Sequence, residues 1–257
     1  MGAGAAIHVE HVSKTFVTKD GTTEAVADVS FDVPSGSFVS LIGPSGCGKT
    51  TVARMIGDLL APTSGEITID GESPSVARGH RRIGFVFQRP TLVAWRSVLK
   101  NVTLPLDVLG WPRAKKRERA MELLDLVGLA DFANHRPDQL SGGMQHRAAI
   151  ARALSYDPGV LIMDEPFGAL DLITRDRMGF ELLRIWAEAK KTVIFITHSI
   201  EEAVLLSTTV LAMAARPTYV QELVPITLER PRVVEHRQDP RFLQATAKLR
   251  EMLEQNG

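Results

Sequence analysis

Apolar and polar residues recur along the chain in two different patterns. Residues 7–12 and 25–33 alternate apolar and polar positions, which predicts two strands of an antiparallel sheet with one face in solvent. Dense apolar runs instead predict buried strands of a parallel sheet, and they cover residues 37–42, 83–87, 160–163 and 192–197. From about residue 89 to residue 145 the apolar spacing is helical. The chain is therefore predicted to be an α/β protein with an inserted helical region.

These patterns divide the chain into three parts. Residues 7–87 and 147–230 form the predicted core, which includes an N-terminal antiparallel β-subdomain. Residues 88–146 form the helical subdomain, and residues 231–257 hold a linker and a last helix. The linker character begins at residue 225, where prolines and charged residues become frequent.

A glycine-rich loop joins the first buried strand to a helix that begins near Gly48. It reads Gly43-Pro44-Ser45-Gly46-Cys47-Gly48-Lys49-Thr50, the G-x-x-x-x-G-K-[ST] pattern of a phosphate-binding P-loop. Glycines let such a loop curl and aim backbone N–H groups at phosphate oxygens. Lys49 supplies a charge for the β- and γ-phosphates, and the Thr50 hydroxyl is a candidate Mg²⁺ ligand. The alternative is a plain glycine turn at a helix start, but the strand–loop–helix context favours phosphate.

Composition and charge exclude several classes of function. Thirty basic and thirty acidic residues cancel, so nothing global indicates nucleic-acid binding. No apolar run approaches the roughly 20 residues of a membrane helix, and the N-terminus lacks a signal-peptide pattern. A function at a membrane would therefore require a membrane partner. The single cysteine, Cys47, excludes an internal disulfide. Its place in the glycine-rich loop predicts a thiol that reacts in the nucleotide-free protein and is shielded by MgATP.

Polar residues follow three of the buried strands. Asp164 and Glu165 end the third run, where two carboxylates are costly unless a ligand uses them. In a P-loop protein the aspartate typically holds Mg²⁺, and the glutamate faces the γ-phosphate and can polarise water. His198 follows the fourth run, on the side where open α/β sheets bind ligands, and is either structural or catalytic. Gln88 follows the second run and by itself indicates only a solvated loop.

Two segments near the end of and within the helical region, residues 141–143 and 113–119, can be interpreted either as ordinary helix structure or as binding sites. Ser141 is placed to cap a helix, and Gly142 and Gly143 permit close backbone approach, so this is either an ordinary helix start or a second anion site. Basic residues at 113–119 are interpreted as a solvated helix face in preference to a binding patch. His146 is interpreted as a helix-surface residue.

Phe16 is the aromatic residue of a predicted connection at residues 13–16, between the first two strands. It is either a core residue or an aromatic face that stacks on a nucleobase. The motifs around it favour stacking.

Taken together, these motifs resemble the ATPase subunit of an ABC transporter over nearly the whole chain. The matching segments are residues 43–50 (Walker A), Gln88 (Q-loop), residues 140–145 (signature), 160–165 (Walker B), 169–171 (D-loop) and His198 (switch histidine). The resemblance implies a P-loop NTPase (RecA-like) core with a mainly parallel sheet, an antiparallel β-subdomain and an inserted helical subdomain. It implies ATP and Mg²⁺ as cofactors.

The resemblance also implies a role for each matching residue. The expected catalytic residues are Glu165 as general base, His198, Gln88 and Lys49. The expected metal ligands are Thr50, Gln88 and Asp164. The expected nucleotide-binding residues are Phe16, Gly43, Pro44, Ser45, Gly46, Cys47, Gly48, Lys49, Thr50, Thr51, Ser141, Gly142, Gly143 and Asp171. Ser141, Gly142 and Gly143 are expected to complete the site of the other protomer in a head-to-tail homodimer that encloses two ATP molecules.

The implied partners are separate membrane permease subunits and, indirectly, a periplasmic or extracellular solute-binding protein, with no nucleic acid. The subunit would lie peripherally at the cytoplasmic face of the cell membrane. Residues 92–98, 201–203 and the turn at 216–217 resemble the nitrate/sulfonate/taurine importer branch, although residues 207–209 lack its usual acidic-basic pair. A pyrimidine or flavin precursor is an alternative solute.

Two other functions fit the sequence less well. A soluble ABC protein acting on DNA or ribosomes usually carries long coiled coils or two cassettes, and this chain has neither. A P-loop kinase would lack the signature and the switch histidine.

Overall fold

The computed structural model describes residues 2–18, 21–214 and 218–254. Its strands are β1 (Ile7–Thr18), β2 (Gly21–Val33), β3 (Phe38–Ile42), β4 (Ser64–Ile69), β5 (Ile83–Val86), β6 (Val160–Asp164), β7 (Thr192–Ile196), β8 (Thr209–Met213) and β9 (Val220–Pro225). Its helices are α1 (Lys49–Ile56), α2 (Pro74–Gly79), α3 (Val98–Val102), α4 (Leu104–Val108), α5 (Arg113–Leu126), α6 (Gly142–Leu154), α7 (Leu172–Ala189), α8 (Ile200–Leu206) and α9 (Pro240–Glu254). The predicted turn at residues 216–217 lies outside the described residues.

The strands form two sheets. A three-stranded antiparallel sheet has the order β2-β1-β4, and a six-stranded sheet has the order β5-β6-β7-β3-β8-β9. All pairs in the larger sheet are parallel except β8 with β9. Helices α3, α4 and α5 are inserted between β5 and α6. The predicted fold class, a mainly parallel α/β core with an antiparallel β-subdomain and a helical insertion, is confirmed.

Strand β3 lies between β7 and β8, and all of its side chains are buried. Its residue Leu41 pairs with Ile196 of β7, which pairs in turn with Asp164 of β6. Because these strands are parallel, their carboxyl ends meet at one edge of the sheet. The glycine-rich loop, the two carboxylates and His198 therefore start from neighbouring points.

The apolar spacing of the helices explains their packing. Val52, Met55 and Ile56 of α1 are buried in a cluster that joins the larger sheet to the antiparallel sheet. A second cluster, which includes Leu123 of α5 and Leu182 of α7, joins the helical insertion to the core. Full burial of one such side chain contributes about 1.5–3 kcal/mol of transfer free energy.

The prediction that Phe16 lies on a connection is wrong. Strand β1 continues past Phe16, which pairs with Thr23 of β2. The strand is irregular on both sides of Val12, where its register with β2 shifts. Such a bulge moves the following side chains to the other face, so the alternation stops in the sequence although the pairing continues.

Residues 225–240, predicted as a linker, are packed against the core. Ile226 and Leu228 are buried, and the Arg232 guanidinium donates hydrogen bonds to three carbonyl oxygens at the end of α8. Burial lowers the pKa of Arg232 to about 9. The prolines and charges of this segment conceal its packing in the sequence.

Candidate nucleotide-binding site

The glycine-rich loop between β3 and α1 has no room for a side chain at two positions. Gly48 has a left-handed φ of 97°, and a Cβ there would lie 2.6 Å from Thr218 Oγ1 and 2.9 Å from the Ala25 carbonyl oxygen. A Cβ on Gly43 would lie 2.6 Å from the Met213 carbonyl oxygen. Only glycine lets the backbone curl in this space, and a curled backbone of this kind is what an anion-binding loop requires.

Lys49 and Thr50 are the first residues of α1. The Lys49 ammonium group is buried and donates to the carbonyl oxygens of Gly43 and Pro44 at 2.8 and 2.9 Å. The Thr50 hydroxyl donates to Asp164 Oδ1 at 2.9 Å. A cation and a hydroxyl are thus held at the positive end of the helix dipole, where phosphate oxygens are favoured.

The Cys47 side chain faces the protein core. It is 1% exposed and packs in the apolar cluster around α1, with Sγ 3.7 Å from Lys49 Nζ. The predicted reactivity of this thiol in the nucleotide-free protein is therefore contradicted, because a buried thiol is inert with or without a ligand. The other loop residues are placed as follows: Ser45 and Gly46 are exposed, and Pro44, Thr50 and Thr51 are half-buried.

Asp164 and Glu165 end β6 in different environments. Burial raises the pKa of Asp164, and the hydrogen bond from Thr50 opposes that rise. Glu165 has a left-handed φ of 47°, and its N–H donates to the Ile196 carbonyl oxygen at 3.1 Å. Such a backbone costs roughly 1–3 kcal/mol and persists only where its surroundings determine it. Strand β7 supplies that support.

Gln88, Glu165 and His198 meet although they follow three different strands. Glu165 Oε1 lies 2.5 Å from His198 Nε2, and Glu165 Oε2 lies 3.4 Å from Gln88 Nε2. The three side chains line a cavity of about 170 Å³. The Glu165 side chain is 23% exposed, so water reaches it. A carboxylate able to accept a proton therefore lies between an amide and an imidazole.

Two oxygen ligands for a divalent cation lie where the start of α1 meets the end of β6. Thr50 Oγ1 and Asp164 Oδ1 are hard oxygen donors only 2.9 Å apart. Gln88, the third predicted ligand, contacts Glu165, the residue after Asp164. This set, with its one carboxylate, suits Mg²⁺, which is usually bound by one or two carboxylates together with substrate phosphates and water. Among the described residues, no group of three or more His, Cys, Asp or Glu side chains could hold a metal.

Phe16 lies on the antiparallel sheet near the glycine-rich loop. Its partner Thr23 is two residues from Ala25, whose carbonyl oxygen faces Gly48. The Phe16 ring is partly exposed, and Lys14 Nζ lies 5.4 Å from the ring centroid. The placement suits an aromatic contact to a nucleobase, and that role stays a prediction.

The signature residues lie outside the Glu165 cavity. Ser141 caps α6, with its Oγ accepting from the Met144 N–H at 3.3 Å. A Cβ on Gly142 would lie 3.1 Å from Leu170, so the start of α6 packs beside the D-loop of the same chain. Asp171 caps α7 in the same way, and the hydrogen bond from Thr174 lowers its pKa. Neither Ser141 nor Asp171 is among the described residues that line the cavity.

Known protein families and their members show which family this chain belongs to. A family model described as "ABC transporter" matches residues 26–168. The chain belongs to the ABC transporter family. It is 48% identical over 215 residues to the taurine import ATP-binding protein TauB of Rhizobium johnstonii, which covers 82% of this chain and 80% of that protein. It is 43% identical over 245 residues to the nitrate import ATP-binding protein NrtD of Synechococcus elongatus, covering 93% and 88% of the two chains.

The ABC fold is also seen in solved structures. The ATP-binding cassette MJ0796, in a dimeric post-hydrolysis state bound to ADP and Pi, matches with a TM-score of 0.74 and 34% identity, covering 87% of this chain and all of that one. The resemblance drawn from the motifs is therefore confirmed, and the chain is an ATP-binding ABC ATPase. No helix among the described residues has the length and apolar character needed to span a membrane.

His146 of this ABC ATPase is buried, and its prediction as a surface residue is wrong. It is 2% exposed, with Nε2 3.1 Å from the Gln88 carbonyl oxygen and Nδ1 3.0 Å from the Gly142 carbonyl oxygen. The signature helix is thereby joined to the Q-loop. Helical spacing alone did not reveal this contact, because the face of α6 that carries His146 is buried by a segment 58 residues away.

Sequence reasoning also missed four polar residues of the same cavity: Arg175, Thr197, Ser199 and Glu202. Arg175 and Glu202 lie on α7 and α8, where charged residues ordinarily indicate a solvated face. Their only signal was the placement of both helices directly after motif residues.

Proposed function

We propose that this ABC ATPase hydrolyses MgATP to drive import of a small solute such as nitrate, sulfonate or taurine through separate membrane subunits. The names of its relatives, a taurine import and a nitrate import ATP-binding protein, support this class of transport. The observation that carries hydrolysis is the Glu165 carboxylate, which lies 2.5 Å from His198 Nε2 and 3.4 Å from Gln88 Nε2.

In the proposed mechanism, the glycine-rich loop binds the triphosphate through its backbone N–H groups. Lys49 Nζ, now bonded to two loop carbonyls, turns to the β- and γ-phosphates. Thr50, Asp164 and Gln88 would hold Mg²⁺, which supplies charge neutralisation for the phosphates when it is bound. Phe16 stacks on the adenine ring.

Glu165 acts as the general base. Its carboxylate accepts a proton from the water that attacks the γ-phosphorus. Gln88 orients that water, and His198 donates a hydrogen bond to a γ-phosphate oxygen. The contacts of the carboxylate with His198 and Gln88 support this assignment, because they orient its two oxygens. The backbone bond to Ile196 fixes the main chain of Glu165.

The proposed active unit is a head-to-tail dimer. Ser141 and Gly142 are exposed at the start of α6, a helix of 13 residues, and they do not line the protomer's own cavity. A helix N-terminus of this length attracts anions. We therefore assign the signature of one protomer to the γ-phosphate bound by the other. The dimeric state of the solved cassette supports this arrangement.

A groove on the helical subdomain is the proposed contact for a permease subunit. It has a volume of about 670 Å³ and is lined by Trp95, which is 79% exposed. Its charged lining residues are Arg96, Lys100, Asp107, Arg113, Lys116 and Arg117. Exposed aromatic residues on a charged rim are common at protein interfaces. This contact would hold the subunit peripherally at the cytoplasmic face of the membrane, and a solute-binding protein would act only through the permease.

The test is turnover of MgATP by the purified protein and by Glu165→Gln. We expect kcat to fall by about 10²- to 10⁴-fold in the variant, because only the proton acceptor is lost. ATP affinity is retained, and light scattering shows a dimer that persists in MgATP. The matched control is Glu118→Gln, a change at an exposed glutamate of α5.

Two results would overturn the proposal. Unchanged turnover in Glu165→Gln would remove the assigned base. Recovery of ribosomes or DNA, instead of a multi-span membrane protein, in a pull-down from the native host would remove the importer role.

A further inference from the structure

Glu202 of α8 holds the loop that carries the switch histidine. Its carboxylate accepts a hydrogen bond from the Thr197 hydroxyl, and Thr197 Oγ1 accepts from the Ser199 N–H at 3.0 Å. Ser199 in turn caps α8, with its Oγ accepting from the Glu202 N–H at 3.2 Å. Both residues that flank His198 are therefore bound to Glu202: Thr197 to its carboxylate and Ser199 to its backbone N–H.

Arg175 of α7 holds the D-loop from the other side of the same cavity. Its Nη2 donates to the Leu170 carbonyl oxygen at 3.1 Å, and its backbone N–H donates to the Asp171 carbonyl oxygen at 2.8 Å. Arg175 Nε lies 3.5 Å from Glu202 Oε1. This ion pair is the point at which the two loops are joined.

The ion pair of Arg175 and Glu202 lies in a largely buried position, where an unpaired charge would be costly. The Glu202 side chain is only 14% exposed, and burial raises its pKa. A carboxylate in this position is costly without a partner, and Arg175 is the cation closest to it. The buried Nε of Arg175 has no hydrogen-bond partner among the described residues, so Glu202 contacts it as an ion pair without a hydrogen bond.

We infer that Arg175 and Glu202 are positioning residues that couple the switch-histidine loop (Thr197, His198 and Ser199) to the D-loop (residues 169–171). The inference rests on the proposed function, in which His198 contacts the γ-phosphate of its own protomer. Leu170 also packs beside Gly142 of the signature. A change at the γ-phosphate is thus passed through Thr197, Glu202 and Arg175 to the surface that meets the partner protomer.

The test is a double-mutant cycle in MgATP hydrolysis. We expect Arg175→Gln and Glu202→Gln each to lower kcat by about 2- to 30-fold, the range usual for coupling residues, with KM little changed. The double variant is no slower than the slower single variant, because both changes break one link. Arg177→Gln, an exposed arginine of the same helix, is the matched control and retains wild-type turnover.

A second measurement separates positioning from a loss of folding. A nitroxide placed at Leu172→Cys, which is 69% exposed beside the D-loop, reports local motion, and the buried Cys47 leaves this label unique. We expect Arg175→Gln to increase the mobility of the label while the thermal midpoint changes little. Glu202→Gln has the same effect on the label although it lies on another helix.

Different results overturn different claims. The coupling alone would be overturned if the fold-losses in kcat of the two single variants multiplied in the double variant. Unchanged turnover in either single variant would also overturn it. Losses that track the folded fraction would make the pair merely structural and also overturn it. A wild-type protein without MgATP turnover would overturn the proposed function, and the inference with it.

Discussion

Thr50 Oγ1 and Asp164 Oδ1 are joined by a hydrogen bond of 2.9 Å, although 114 residues separate them in the chain. The bond ties the start of α1 to the end of β6. It places two oxygen donors together before any cation binds, and so it prepares the candidate Mg²⁺ position. A site prepared in this way loses little freedom when it binds its ligand.

Removing the Thr50 hydroxyl should weaken the binding of Mg²⁺ more than the binding of ATP. In Thr50→Val we expect the Mg²⁺ concentration for half-maximal ATPase activity to rise at least about tenfold. Thr68→Val on β4 is the control. The measurement is a Mg²⁺ titration at saturating ATP, and identical titration curves would remove Thr50 from the metal site.

The signature should act on the partner protomer. Ser141→Arg blocks hydrolysis by charge and bulk while ATP still binds the monomer. Ser73→Arg, which changes the serine cap of α2, is the control for the loss of a helix cap. The decisive measurement mixes Ser141→Arg with Glu165→Gln, each inactive alone.

In the mixed dimer, one site combines an intact Glu165 with an intact Ser141 from the partner. We therefore expect turnover to return on mixing. No recovery, with heterodimers shown to form, would mean that the signature acts within its own protomer.

Cys47 should resist alkylation in the folded protein. Because its side chain is buried, we expect iodoacetamide to react slowly with and without MgATP, and rapidly only after unfolding by urea. Val17→Cys, at a position 82% exposed, is the positive control for the reagent. Rapid labelling that MgATP prevents would contradict this prediction and show that the Cys47 thiol is accessible at the phosphate site.

His146→Leu should destabilise the protein by leaving the partly buried Gln88 carbonyl oxygen without its donor. We expect the free energy of unfolding in urea to fall by about 1–3 kcal/mol. His146→Gln retains a donor and should lose less, and His80→Leu at the exposed end of α2 is the surface control. Equal stability of all variants would show that the contact to Gln88 contributes nothing.

Elements with a strong local signal were predicted well. Strand β7 (Thr192–Ile196) lies within the dense apolar run at residues 192–197, and Ser141 caps α6 as its residue type favours. Strand β3 and the loop after it were recognised because a dense apolar run and spaced glycines act on the backbone directly. The errors at Phe16, Cys47 and His146 have another origin. At Phe16 the register shifts around Val12 end the alternation although the strand continues. At Cys47 and His146 a distant segment covers one face of the element, and local periodicity does not contain that information.

By itself, the sequence determined the order of the elements, the phosphate-binding loop and the residue types needed for its chemistry. These follow from local backbone preferences and from spacing within a few residues. Only the tertiary structure decided which polar groups meet: Gln88 and His198 on Glu165, Thr50 on Asp164, and Arg175 on Glu202. The reason is the parallel sheet, since the register of β3, β6 and β7 brings their carboxyl ends to one edge from points far apart in the chain.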